Sequence, residues 1–259
     1  MESAPPSGLA RSAHAMPRGG LVAGRLRSLA ADTRYVALST VRMTRGLATH
    51  ECPFCGYRGK FSPAGDPPRR DAKCRGCRSF ERHRLLALAL DRERVVRPGD
   101  RILHFAPEVP VARLLNHISS GNVVSADIDE DIADLTIDIE SIALDDGTFD
   151  VVVCSHVLEH VDDRRALEEM HRILVPGGRL VVMVPIVEGW DRTHELPGVT
   201  SPRERRIEFG QSDHVRYFGR DLRDRIRAAG FALSEFVAEP QDCRRYGLVR
   251  GERVFVGTR

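Results

Sequence analysis

"FDVVVCSHVLEHVDDRRALEEMHRILVPGGRLVVMVP", residues 149–185, decides the fold. FDVVVCS is a continuous apolar run of strand length, the mark of a strand buried on both faces. In DRRALEEMHRIL the residues Ala166, Leu167, Met170, Ile173 and Leu174 recur at helical spacing and make one apolar face. PGG stops that helix, and RLVVMVP is a second buried strand. Two buried strands joined through a helix form a right-handed parallel crossover.

The same alternation extends outward. RILHF (101–105) reads as a strand and VARLLNHI (111–118) as a helix. NVVSA (122–126) is a strand ending at Asp127, and LTIDI (135–139) is a short strand. GRDLRDRIRAAG (219–230) is a helix closed by Gly230, and FALSEFV (231–237) and RVFVG (253–257) are the last strands. The class is α/β with a doubly wound, mainly parallel sheet. Residues 186–217 interrupt the pattern without readable periodicity. A loop of that length in a compact domain is expected to be functional, a lid or substrate segment. It holds Trp190, the only tryptophan.

Four of the six cysteines stand as CPFCG (52–56) and CRGC (74–77), which is C-x2-C, eighteen residues, C-x2-C. Two such knuckles bring Cys52, Cys55, Cys74 and Cys77 to one tetrahedral ion, and the spacing is that of a zinc site. Four thiolates close the coordination sphere, so the Zn2+ is expected to be structural. Its formal charge of −2 is assigned to Arg75, Arg78 and nearby backbone N–H groups.

The net charge of +2 hides an asymmetry: residues 1–99 carry 19 basic and 8 acidic side chains, residues 100–259 carry 20 and 29. The expected organisation is a flexible to helical segment (1–50), a zinc-ribbon-like module (51–80), a connecting helix (81–99, with Ser79 as N-cap) and a catalytic domain (100–259). No apolar run has the length of a membrane span and no continuous apolar leader opens the chain, so the expected location is cytoplasmic.

From residue 100 onward the order of features resembles the class I S-adenosylmethionine-dependent methyltransferases. RILHFAPE stands where that family has its first strand and glycine loop, and VVSADID ends the second strand. TIDIESIALDDGTFDVVVCSHVLEHV (136–161) and RILVPGGRLVVMVP (172–185) match the third to fifth strands. The resemblance implies a Rossmann-like seven-stranded sheet with S-adenosyl-L-methionine across the carboxyl ends of its strands. Asp127 is then placed for the ribose hydroxyls, with Asp129 in reserve. Asp138 and Ile139 are placed for the adenine. Cys154, Ser155 and His156 end the fourth strand beneath the methyl group and acceptor.

On the family's pattern Ala106, Glu108 and Pro110 stand where glycines are expected, and His104 stands where an acid is expected. S-Adenosylmethionine carries an ammonium and no phosphate, so a phosphate cradle is not required. Glu108 is expected to bind the ammonium, and Ala106 is small enough for close approach.

HVLEH (156–160) fits H-x-x-E-H, a pattern of certain zinc proteases. It follows a buried strand rather than lying within a helix, so Glu159 and His160 are assigned to packing and His156 to the active site. In FGQSDHVRYFG (209–219) the Asp213–His214 pair is expected as an oriented general base, the carboxylate fixing the imidazole tautomer.

The expected function is methyl transfer to an oxygen or nitrogen of a small-molecule acceptor. The absence of an N/D-P-P-Y tetrapeptide after the fourth strand, where CSHV stands, weighs against a base amino group. Two alternatives remain: an RNA methyltransferase that holds nucleic acid with the zinc module and the basic amino-terminal third, and a non-catalytic zinc-binding interaction protein.

Overall fold

The structure, a computed structural model, describes residues 33–38, 41, 48–65 and 67–259. Within Met1–Arg45, residues 33–38 are helical; the other expectations for 1–47 lie outside the described residues. Gly46–Arg259 forms a separate unit that contains both the cysteine module and the sheet. No described helix is long and apolar enough to cross a membrane.

The cysteine module holds β1 (His50–Glu51), β2 (Arg58–Gly59), β3 (Ser62–Ala64) and β4 (Arg69–Lys73). Then come α1 (Glu81–Arg92), β5 (Ile102–Phe105), α2 (Val109–Ser119), β6 (Val123–Asp127), β7 (Leu135–Thr136) and β8 (Phe149–Ser155). α3 (Asp163–Ile173) and β9 (Leu174–Met183) complete the crossover. The chain ends through β10 (His194–Glu195), α4 (Pro202–Phe209), β11 (Arg216–Tyr217), α5 (Leu222–Ala228), β12 (Ala232–Val237), α6 (Pro240–Tyr246) and β13 (Arg253–Thr258).

The central sheet has seven strands in the order β12-β13-β9-β8-β5-β6-β7, with β13 antiparallel to both its neighbours. This is the seven-stranded Rossmann-like sheet expected of class I methyltransferases. The chain winds one way from β5 through α2 to β6, and the other way from β8 through α3 to β9. Ligands in such sheets bind where the winding reverses, beyond the carboxyl ends of the strands. Here that point lies between β5 and β8, which pair in parallel.

Alternation along β8 shows why the strand reads as uniformly apolar. Val152 and Cys154 face α3, where Ala166, Leu167, Met170 and Ile173 bury their stripe. Val151 and Val153 face the opposite layer, made by Leu85 and Leu86 of α1 and Val111 and Leu115 of α2. Two consequences correct the sequence reading. Cys154 is fully buried in the core, burial raising its thiol far above the ordinary range, so it does not face a ligand. α1, expected as a connector, is one of the layers that cover the sheet.

Residues 186–217 are more ordered than their sequence suggests. β10 pairs with β11, and α4 is N-capped by Ser201, whose hydroxyl accepts from Glu204 N at 3.3 Å. PRERRIEF shows no apolar stripe because this helix buries little; Ile207 is 76% exposed. The segment is pinned by ion pairs rather than by a hydrophobic face. Arg216 and Arg225 both reach Asp163 (2.8 and 3.1 Å) and Glu195 (3.1 and 3.0 Å). A cavity of about 500 Å3 runs through this network, and Asp163, Glu195, Arg216 and Arg225 in its lining are paired with one another.

Arg84 joins the cysteine module to the rest of the unit. It is fully buried, and its guanidinium donates to the carbonyls of Ala72 (3.1 Å), Ser79 (2.7 Å), Tyr246 (2.8 Å) and Gly247 (2.7 Å). Its Cζ lies 4.5 Å from the centre of the Phe61 ring. Arg84→Ala strands buried acceptors on both sides, and each costs about 1–3 kcal/mol. We expect a loss of about 3 kcal/mol or more in urea unfolding. Arg84→Lys should recover only part of it, because a point-like ammonium cannot fork to both loops.

Candidate functional site

The four cysteine sulfurs converge. Each C-x2-C forms a tight turn closed by backbone bonds, Gly56 N to Cys52 O (2.9 Å) and Arg78 N to Cys74 O (3.0 Å). The residue after each second cysteine is left-handed, Gly56 at φ 68° and Arg78 at φ 66°. The sulfurs lie within 4.8 Å of one another, Cys52 to Cys77 at 3.5 Å and Cys55 to Cys74 at 3.8 Å. A tetrahedron with Zn–S of about 2.3 Å has edges of about 3.8 Å, so the donor set fits zinc.

Around the cluster the structure revises two assignments. Ser79 does not cap α1, whose N-cap is Phe80; its hydroxyl lies 3.4 Å from Cys52 Sγ and 3.2 Å from Cys77 Sγ. Arg75 reaches Ser62 Oγ at 3.2 Å, and the cation buried beside the sulfurs is Arg84.

The second site is a cleft of about 380 Å3 at the winding reversal. Phe105 and Ala106 line it from the end of β5, Asp127 and Ile128 from the end of β6, Asp138 and Ile139 from the loop after β7, and His156 from the end of β8. His160, Val161 and Asp213 close its outer side. Both central strands exit through a left-handed residue that is not glycine, Ala106 at φ 47° and His156 at φ 57°. The family's first glycine is thus explained here by conformation: Ala106 takes the left-handed turn at a strain of about 1–2 kcal/mol. His156 N is held by Met183 O at 2.7 Å.

The acids separate by geometry. Asp127 lines the cleft while its Oδ1 accepts from Asp129 N at 3.0 Å, which fixes the carboxylate at the strand end. Asp129, the reserve, turns onto its own loop and accepts from Asp131 N at 3.1 Å. Asp138 is fixed in the same way by Glu140 N at 2.9 Å. Ser155 is buried at the end of β8 and is not among the residues lining the cleft.

Glu108 departs furthest from expectation. It is the N-cap residue of α2, with Pro110 in the helix's first turn, and its carboxylate is taken by two side chains of α1, Arg82 and His83. Arg82 donates to both oxygens and His83 Nε2 lies 2.7 Å from Oε2. Burial alone would raise this carboxyl, but the hydrogen bonds from His83 and Arg82 outweigh it and hold it at about 2. Glu108 is therefore paired within the chain and is not among the residues lining the cleft. His104, under the loop, is held down to about 4 by burial and is neutral.

The Asp213–His214 pair is also rearranged. Asp213 Oδ2 lies 3.4 Å from His160 Nδ1, and the buried His214 packs edge-on against the His160 ring with centroids 4.7 Å apart. Burial pushes the His214 imidazole down, while Glu159 pulls the other way. Glu159 and His160, assigned to packing, thus stand beside His214, and of the three His160 lines the cleft. Glu252 is invisible to sequence reasoning; burial raises its carboxyl, and no motif in GERVF marks it.

Residues 111–182 match the methyltransferase domain family. The ubiquinone/menaquinone biosynthesis C-methyltransferase UbiE of Escherichia coli O1:K1 is 33% identical over 89 residues, which cover 32% of this chain and 36% of that protein. The chain thus spans about a third of the length of the curated relatives it matches. A chain in the solved complex of the Haloferax volcanii Trm112 methyltransferase activator with a methyltransferase superposes with a TM-score of 0.50 at 20% identity, over 69% of this chain and 89% of that one. An S-adenosylmethionine-dependent methyltransferase from Mesorhizobium loti gives 0.49 at 18% identity, over 68% and 98%.

Proposed function

We propose that this chain, a class I methyltransferase by its fold and by the family matched over 111–182, transfers a methyl group from S-adenosyl-L-methionine to an oxygen or nitrogen of a small molecule. The observation that carries the reading is the cleft at the winding reversal, with a fixed carboxylate at the end of β6 and a second acid beside an apolar residue in the next loop. Asp127 would accept both ribose hydroxyls. Asp138 would take the adenine amine, with Ile139 and Ile128 covering the ring. The cofactor supplies an electrophilic methyl group on a sulfonium; the chain's task is to align an acceptor behind it and exclude water.

The acceptor would enter past His156, His160 and Asp213. Because Glu108 has two partners of its own, it supports this site indirectly, by locking the β5–α2 loop against α1. The four-cysteine module would hold one structural Zn2+ and brace α1 through Arg84.

Calorimetric titration of the purified protein with S-adenosylmethionine, and with its demethylated product S-adenosylhomocysteine, tests the reading. One equivalent of each should bind. A protein that is folded and binds neither is not a methyltransferase of this kind.

A further inference from the structure

Glu159, His160 and His214 offer ligand atoms that all lie within 4.8 Å of one another. The first two come from the turn between β8 and α3, and the third from the segment before β11. Their approach is built rather than incidental. Val215 N donates to Glu159 O at 2.9 Å, and Arg216 Nη1 donates to Leu158 O (3.0 Å) and Val161 O (2.6 Å). These bonds pin the histidine-bearing segment to the turn.

Glu159 and His160 are each oriented by a further partner, and all three side chains keep a ligand atom over. His156 Nδ1 lies 3.2 Å from Glu159 Oε1, while Glu159 Oε2 is buried with no hydrogen-bond partner among the described residues. His160 Nδ1 faces Asp213 through its carbonyl (3.3 Å) and its carboxylate (3.4 Å), which leaves the Nε2 lone pair free to bind. His214 Nδ1 is likewise buried with no partner among the described residues. Glu159 is 1% exposed and His214 4%. A buried carboxylate oxygen and a buried imidazole nitrogen left unpaired each cost about 1–3 kcal/mol. Packing gives no reason for both to be left unpaired within reach of a third ligand. A histidine held by a carboxylate at its far nitrogen is the usual arrangement of a metal ligand.

We propose that Glu159, His160 and His214 bind a divalent transition-metal cation at the edge of the cleft. Two imidazoles and one carboxylate suit Zn2+, Co2+, Fe2+ or Mn2+ rather than Ca2+ or Mg2+. Three protein ligands leave coordination positions open, unlike the closed four-cysteine site. His160 also lines the cleft, so the open positions are available to an oxygen ligand there. The identity of that ligand, and nothing else in the proposal, rests on the methyl-transfer reading: it is a hydroxyl oxygen of the acceptor, made more acidic by the cation.

The test is a Co2+ titration of the full chain purified with its four-cysteine site loaded, followed by visible absorption and calorimetry. One equivalent should bind, with weak ligand-field bands and without the intense near-ultraviolet band of thiolate-bound cobalt. Glu159→Gln and His160→Ala should each weaken binding at least about tenfold, whereas His117→Ala, on the exposed side of α2, should leave it unchanged. Should Glu159→Gln fail to fold, His160→Ala decides alone, since that side chain is 29% exposed. The proposal is overturned if no second cation binds, if the thiolate band appears, or if the variants bind as the wild type does. Intact S-adenosylmethionine binding beside absent Co2+ binding would sink the metal site and leave the methyltransferase reading standing.

Discussion

Asp127→Ala should abolish measurable S-adenosylmethionine binding, raising Kd by at least about a hundredfold while the protein stays folded. The carboxylate at the end of β6 is expected to accept two hydroxyl hydrogen bonds. Bonds to a charged acceptor contribute about 1.5–3 kcal/mol each, and about 1.4 kcal/mol is tenfold in affinity. Its structural role is smaller: Oδ1 accepts one bond, from Asp129 N at 3.0 Å at the loop surface. Asp127→Asn, which keeps an acceptor but loses the charge, should fall between. Calorimetry with a parallel melting curve checks this. Unchanged affinity in Asp127→Ala would place the cofactor elsewhere and remove the ribose assignment, together with the reading built on it.

Removing metal from the four-cysteine site should unfold the module. Its buried cluster is Cys52, Phe61 and Cys74, far too little apolar surface to offset the ordering of residues 50–79. A bound metal is expected to supply the difference, since a structural zinc contributes on the order of 10 kcal/mol in small modules. Purified protein should hold one zinc per chain at this site. A strong chelator, or Cys74→Ser, should abolish amide-exchange protection across β1 to β4. The loss should reach α1, because Arg84 then loses its acceptors at Ala72 and Ser79. Zinc content near zero in protein with intact protection at these strands would exclude a structural metal.

The two sites differ in how far they can be read from the chain. A C-x2-C knuckle is local: its two sulfurs share one turn, so spacing alone announces the cluster. The buried strands of 149–185 are equally legible, because a strand covered on both faces is apolar throughout. The cleft is half legible. Asp127 and Asp138 sit at strand ends, which periodicity locates, and both line it. Glu108 misleads, because nothing in RILHFAPE reveals that Arg82 and His83, 25 residues and more upstream, occupy its carboxylate. Asp213 and His214 mislead for another reason: adjacency in sequence suggests that they pair with each other, whereas both side chains meet His160, more than 50 residues upstream.

By itself, then, the sequence determined the features that local spacing and periodicity dictate: the α/β alternation, the crossover at 149–185, the four-cysteine cluster and the acids at the strand ends. Tertiary structure alone decided the features that depend on contacts across large sequence separations. It paired Glu108 with α1 and sank Arg84 beneath the cysteine module. It pinned residues 186–217 with the ion pairs of Asp163 and Glu195, and it brought His214 to Glu159 and His160 across more than 50 residues. The physical reason is that backbone preference and hydrophobic period act within a few residues. The partner of a buried charge is fixed only when separate elements pack and desolvate it, and the residue types at either end do not encode which partner that will be.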